Sequence, residues 1–470
     1  MNHLTSPLSR RRFLWEAGLG CGSLALASLL QQQGLLAAPA PHFPAKTKSI
    51  IWLFMTGGPS QVDTYDYKPE LQKRDGQSLS GADPKTGFFT TSGKCLKSPF
   101  TWKQLGQTGS WASDLFPHTN RHIDDLSFIH SCHLTANNHA PASMQLMGGI
   151  VRPGYPSLGA WVTYGLGSMN ENLPAFVVMH DTKPRGDDGI WSPGFLPKNY
   201  QPLVLDSRRR EEIANLVRGP GMTEAQQRNQ LDVLKEINAE HQQKHPQEAD
   251  LAARIESFEL AYRMQTAAPE AMDIRMESSR VREMYGLDRK DTATVGRQCL
   301  IARRLIERGV RFIQIFASST KISGGAVADV PWDGHDNIDV NHRDCAASID
   351  QPVGALLTDL KARGLLDSTL VIWGGEFGRT SDSQGSKGRD HNPHANTIWL
   401  AGGGVKRGVH YGKTDEFGYK AVDNKVDVHD LHATILHLLG MDHTKLTYRF
   451  NGRDFRLTDV AGQVVRELIA

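Results

Sequence analysis

Four stretches of this chain gather side chains able to do chemistry. The first is Gly57-Gly58-Pro59-Ser60-Gln61-Val62-Asp63-Thr64-Tyr65-Asp66. Its paired glycines allow close backbone approach. Asp63 and Asp66 can share one turn, and Ser60 can contact an anion; the plainer role for Asp63 is to cap a helix or turn. The second is Asn137-Asn138-His139-Ala140-Pro141-Ala142-Ser143, opening a helix that ends at Gly148-Gly149. A polar cluster at a helix N-terminus is a ready anion site, and His130 and His133 crowd the same stretch. The third is Pro331-Trp332-Asp333-Gly334-His335-Asp336-Asn337, where Asp333 and His335 face one way on extended chain and could ligate a metal together. The fourth runs from Gly374-Gly375-Glu376-Phe377-Gly378-Arg379-Thr380 to Lys387-Gly388-Arg389-Asp390-His391-Asn392-Pro393-His394. So many ionisable groups beyond a buried run are costly unless they serve a purpose. Mixed oxygen and imidazole ligation suits zinc, manganese or iron, and carboxylates alone suit calcium or magnesium. A single His is more often structural than a ligand; the convergence of several stretches is what points to a site. Of the late histidines His429, His432, His437 and His443, only His429, at a helix start, is a further candidate.

For these stretches to meet, other elements must carry them to one place. Apolar runs at Ile50–Met55, Ala175–Met179, Arg311–Phe316, Thr369–Trp373 and Asn396–Leu400 read as buried strands. Helical spacing covers 293–308, 344–363 and 427–439. Strands alternating with helices predict an α/β fold, a doubly wound, mostly parallel sheet with helices on both faces. Ligands in such a sheet collect beyond the carboxyl ends of the strands, which is where the first, third and fourth stretches fall. Residues 222–290 are polar, charged and helix-prone, and read as a helical insertion. Residues 68–112 read as loop or a small hairpin.

The 470 residues are 39% apolar and 22% charged, which fits a globular protein and not a disordered one. Residues 1–40 carry Arg10, Arg11 and Arg12 against Glu16, and so account for the whole net charge of +2. The remainder is balanced, which argues against a nucleic-acid partner. Five cysteines are too few for a disulfide scaffold and fit no zinc spacing, leaving Cys95, Cys132, Cys299 and Cys345 as buried small hydrophobes or one disulfide at most. Ser9-Arg10-Arg11-Arg12-Phe13-Leu14, the apolar stretch to Ala38 and Ala37-Ala38-Pro39-Ala40 resemble a twin-arginine export signal. The competing reading is an N-terminal anchor, but Gln31-Gln32-Gln33 interrupts the ~20 apolar residues a span requires. The expectation is a signal over 1–40, cut near 38–40, and one domain over 41–470. The protein would be periplasmic or secreted, with the twin-arginine translocase as export partner and no later membrane span.

The order of Trp52–Asp66, His139–Gly149, Pro156-Ser157-Leu158-Gly159-Ala160-Trp161, Gly194-Phe195-Leu196-Pro197, Trp332–Asn337, Gly374–Thr380, Gly388–His391 and Asp427–Gly440 closely resembles the secreted "domain of unknown function 1501" family, over nearly all of 41–470. That family is similar in turn to sulfatases within the alkaline-phosphatase superfamily. The resemblance implies that fold, and hydrolysis of phosphate or sulfate esters with one or two divalent ions (zinc, manganese or calcium) and an alkoxide-type nucleophile at a helix N-terminus. By position, Asp63 (or Asp66) looks like the first-strand metal carboxylate, and Asp333 with His335 like a second pair of ligands. Glu376 stands where relatives place the Asp of an Asp-His-Gly signature, with Phe377 replacing its His. The segment from His139 to Gly149 looks like the sulfatase Cys-Ser-Pro-Ser-Arg helix start, with His139 at the nucleophile position. Imidazole cannot become formylglycine. Three roles stay open for His139: metal ligand, nucleophile through a phosphohistidine-like adduct, or neighbour to attack by metal-activated water with Ser60, Ser143 or Thr135 in support. A fourth possibility is that hydrolysis has been lost and only binding remains.

The resulting expectation is an exported metal-dependent hydrolase of anionic esters, phosphate or sulfate, with a small-molecule or glycan substrate. Asp63, Asp333, His335, Glu376 and His391 would hold the metal. His139, Ser60 and Arg379 would be catalytic, and Lys387, Arg389 and Asn138 would bind the substrate anion. The alternative is a non-catalytic envelope binding or scaffold protein on a degenerate hydrolase fold. A weaker idea gives the insertion at 222–290 a role in assembly.

Overall fold

Ser49–Phe54 (β1) is buried at every position in the computed structural model, which describes residues 40–79, 86–209, 211–214, 216–244 and 249–470. Side chains alternate across a strand. Here Ile50, Trp52 and Phe54 enter one apolar core, while Ile51, Leu53 and Met55 enter a second on the opposite face. A strand covered on both sides has no need of alternating polarity, which is why the run is continuously apolar.

Eight further strands complete the sheet: Leu126–His133 (β2), Phe176–His180 (β3), Leu203–Asp206 (β4), Phe312–Phe316 (β5), Thr369–Gly374 (β6), Asn396–Gly402 (β7), His410–Tyr411 (β8) and Val426–Asp427 (β9). Their order is β8-β2-β7-β6-β1-β5-β3-β4, with β9 also paired to β2. All pairings are parallel except those of β7, which runs antiparallel to β2 and β6. The helices His139–Gly148 (α1), Leu158–Leu166 (α2) and Val428–Leu438 (α7) supply Leu146, Trp161 and Ile435 to one core. Ala293–Glu307 (α5) and Ile338–Ala362 (α6) supply Cys299, Ile349 and Leu356 to the other. The expected doubly wound, mostly parallel sheet with helices on both faces is therefore present.

The insertion is a pair of long helices, Glu224–Lys244 (α3) and Ala249–Met272 (α4), followed by the short helix Ser279–Met284. α4 is tied to the core by Met264, Ala268 and Ala271. The hairpin expected within 68–112 pairs Trp102–Leu105 with Ser110–Ser113. α6 begins at Ile338, a turn and more before the expected Asp344, because the Asn337 side chain accepts from Val340 N and starts the helix there. The apolar runs predict no strand at β2, β4, β8 or β9. Cys95, Cys132, Cys299 and Cys345 are all buried and free, so none forms the disulfide left open above. Pro41–Ala470 form one compact unit. Among the described residues no helix is long and apolar enough to cross a membrane. The segment 1–40, expected as a twin-arginine signal, lies outside the described residues apart from Ala40.

Candidate metal centre

Three strand ends deliver the donors. β2 runs out to α1, whose first residue is His139. The segment after β5 carries Asp333 and His335, and the segment after β6 carries Glu376 and Arg379 before His391, which pairs with Arg379 in a short antiparallel ribbon. His139, Asp333, His335 and His391 then lie close enough that one ligand atom from each falls within 4.8 Å of all the others.

Hydrogen bonds fix which ring nitrogen faces inward. His139 Nδ1 donates to Glu376 Oε1 at 2.6 Å, His335 Nδ1 to Gln384 Oε1 at 2.5 Å, and His391 Nδ1 to the Asn137 carbonyl at 2.6 Å. Each partner is an acceptor, so each Nδ1 carries a proton and each Nε2 is left to face the centre. Around Asp333 those nitrogens stand at 3.2 Å (His139, to Oδ2), 2.8 Å (His335, to Oδ1) and 3.1 Å (His391, to Oδ1). His335 Nε2 and His391 Nε2 are 3.1 Å apart. His139 Nε2 is buried and has no hydrogen-bond partner. Lone pairs from three imidazoles and a carboxylate thus converge on one point, an arrangement that only a shared cation or added protons can satisfy. The donor set fits a divalent transition metal, and His139, Asp333, His335 and His391 are the residues that would hold it.

The electrostatics agree. Burial alone would raise the Asp333 carboxyl, but the Arg379 guanidinium at 2.6 Å and the three imidazoles hold it far below the usual carboxylate range. Burial pushes His391 down to about 3 despite Asp333. Burial would also lower His139, yet the carboxylates of Asp333 and Glu376, 3.2 and 2.6 Å away, outweigh it and raise the ring above its ordinary value. An imidazole between two carboxylates holds a proton, or a cation in its stead. Glu376 Oε1 also accepts from Gly57 N at 2.8 Å, which fixes the carboxylate behind His139.

A family model described as "Protein of unknown function (DUF1501)" matches residues 47–469. The chain belongs to the DUF1501 family. No curated protein sequence matches it. Among solved structures it is similar to the lipoteichoic acid synthase LtaP from Listeria monocytogenes, at 10% identity and a TM-score of 0.39, covering 92% of this chain and 80% of that one. It is similar to the PsFucS1 sulfatase from Pseudoalteromonas sp., at 12% identity and 0.37, covering 89% and 70%. It is also similar to the phosphonate monoester hydrolase SpPMH from Silicibacter pomeroyi, at 10% and 0.35, covering 84% and 73%. The functional reading rests on the side chains of the DUF1501 chain itself.

Several residues expected at the centre stand elsewhere. Asp63 is fully buried against Arg389, whose Nε and Nη2 donate to its two oxygens at 2.6 and 3.3 Å. Ser60 Oγ donates to the same carboxylate at 2.5 Å. Asp63 is therefore neutralised by an arginine in place of a metal, and neither Ser60 nor Arg389 is free to meet a substrate. Arg389 spends its other donors on the carbonyls of Thr380, Ser381 and Leu96. Asp66 accepts from Thr414 and pairs with Lys68. Glu376 positions His139 and lies outside the donor group, while His139, expected as catalytic, lies inside it. Arg379 touches Asp333, but its remaining donors bond the carbonyls of Gly57, Gly58 and Arg389, so it is a fixed counter-charge and not a mobile arm. Lys387 is exposed, and Asn138 is a half-buried N-cap with no side-chain capping bond. Sequence reasoning missed Gln384 and the carbonyl of Asn137. A backbone carbonyl leaves no trace in residue type, and Gln384 sits in a polar loop like any other.

Proposed function

We propose that this protein is a metal-dependent hydrolase of anionic esters, phosphate or sulfate. The observation that carries the reading is the convergence of His139, Asp333, His335 and His391 beyond the ends of three strands. Three imidazoles with one carboxylate suit zinc or manganese better than calcium. A bound divalent ion supplies charge neutralisation at the ester oxygens as negative charge develops there. This chain's own residues do the rest. Glu376, Gln384 and the Asn137 carbonyl hold the three rings in register, and Arg379 offsets the charge of Asp333. In the reaction a water oxygen bonds to phosphorus or sulfur, the bond to the ester oxygen breaks, and the water proton ends on the departing alcohol. The proposed setting is the cell envelope after twin-arginine export, with a small anionic or glycan substrate and no nucleic acid.

One observation favours a second reading, a non-catalytic envelope binding or scaffold protein: of the groups expected to handle substrate, Arg379, Arg389 and Ser60 are spent inside the protein, and Lys387 is the one cation among them left exposed. A panel of aryl phosphate, phosphodiester and sulfate esters, with zinc and manganese supplied in turn, separates the two. Turnover that a chelator abolishes and metal restores supports the hydrolase. No turnover across the panel, with glycan binding intact, supports the binding protein.

A further inference from the structure

Beside the candidate centre two large aromatic rings stand in water. Phe88 and Phe89 are 50% and 48% exposed, whereas His139, Asp333 and His391 beneath them are buried. Scattered exposed apolar side chains are ordinary, but these two lie together at the edge of a buried polar cluster. The two rings meet edge to face with centroids 5.0 Å apart. Phe89 lies 5.0 Å from the ring of His335, and Phe88 lies 5.7 Å from that of His391.

The backbone that presents them is clamped. Phe89 N donates to Asp390 Oδ2 at 2.6 Å, Asn137 Nδ2 donates to the Gly87 carbonyl at 3.0 Å, and the Tyr419 hydroxyl bonds Thr86 Oγ1 at 2.7 Å. A Cβ on Gly87 would lie 2.0 Å from Asp390 Oδ2, so only glycine lets the segment sit this close. Asp390 directly precedes His391, and the Asn137 carbonyl holds His391 Nδ1. The groups that seat the donors therefore also seat the aromatic pair. Polar bonds hold the segment in place, yet its apolar rings are left in solvent at the edge of a site for a small anion.

We propose that Phe88 and Phe89 form a ring-binding subsite of this centre, receiving the alcohol half of an anionic ester whose alcohol carries a ring with an apolar face. The CH face of a pyranose and the face of an aryl group both fit such a surface, while an acyclic alkyl group offers neither. The proposal rests on the hydrolase reading above.

Calorimetric titration tests it on the zinc-loaded protein and the Phe88→Ala/Phe89→Ala variant, with ethyl phosphate, 4-nitrophenyl phosphate and glucose 6-phosphate as probes, each as its non-hydrolysable phosphonate analogue, and metal content read on each sample. The expected result is tighter binding of a ring probe than of the ethyl probe by the native protein. That preference falls roughly tenfold in the double alanine variant and returns in Phe88→Trp/Phe89→Trp. The two ring probes show whether the subsite takes sugar or aryl. An equal preference in native and alanine proteins, or no ring preference in the native protein, overturns the subsite. If the native protein keeps its ion and binds the ethyl probe all the same, the hydrolase reading stands without it. A native protein that holds no ion and binds none of the probes overturns both.

Discussion

Asp63→Asn should separate stability from metal binding. Asp63 and Arg389 are both fully buried and joined at 2.6 Å, so neither charge has water to fall back on. The substitution keeps the shape and removes the negative charge, leaving a guanidinium buried among carbonyls. Breaking one partner of a buried pair costs about 3–5 kcal/mol. Arg389 keeps its bonds to Thr380, Ser381 and Leu96, which places the expected loss near the lower end of that range. Domain stabilities run to only about 5–15 kcal/mol, so the effect is large. Urea unfolding followed by tryptophan fluorescence reads it, and Asp63→Asn combined with Arg389→Met should recover part of the loss because no charge is then stranded. Metal content per folded chain should equal that of the native protein, since Asp63 lies outside the donor group. A loss below about 1 kcal/mol, or an Asp63→Asn protein that folds normally yet holds no metal, would refute the reasoning.

Glu376→Gln weakens the hold on His139 and should lower metal affinity by roughly 10–100-fold, read by competition with a chelator of known affinity. Gly388→Ala would place a Cβ 1.5 Å from the carbonyl oxygen of His335, so the segment carrying that donor must shift. Both metal retention and stability should fall, the latter by about 1–3 kcal/mol in urea. Burial lowers His130 and His432 to about 4, while an unfolded histidine titrates near 6.5. Between those values the unfolded chain takes up protons that the folded chain refuses, so stability should fall as pH drops from about 6.5 toward 4 and stay level just above 6.5 from this source. Urea midpoints across that window check the sign, and His432→Gln should make the slope shallower.

How far the sequence revealed the molecule depended on where each residue finds its partners. β1, β3, β5, β6 and β7 were legible because a strand buried on both faces is built almost wholly of apolar residues. β2 was not, because Leu126–His133 mixes serines, a cysteine and histidines. Those polar groups are bonded by carbonyls from distant chain: Ser127 by Lys406, Ser131 by Asn424 and His133 by Val426. At the centre, Asp333, His335 and His391 were legible as donor types beyond strand ends. Asp63 looked equally good in isolation, and its distinction from Asp333 lies in Arg389, a residue 326 positions away. Residue type marks what a side chain can bind, and only the fold decides whether an arginine reaches it first.

The most direct test is anomalous diffraction from crystals of the protein grown with zinc. One peak should lie within bonding distance of Nε2 of His139, His335 and His391 and of the Asp333 carboxylate, and be absent from crystals of His335→Ala. No peak at that point, or a peak lodged instead beside Asp63, would contradict it.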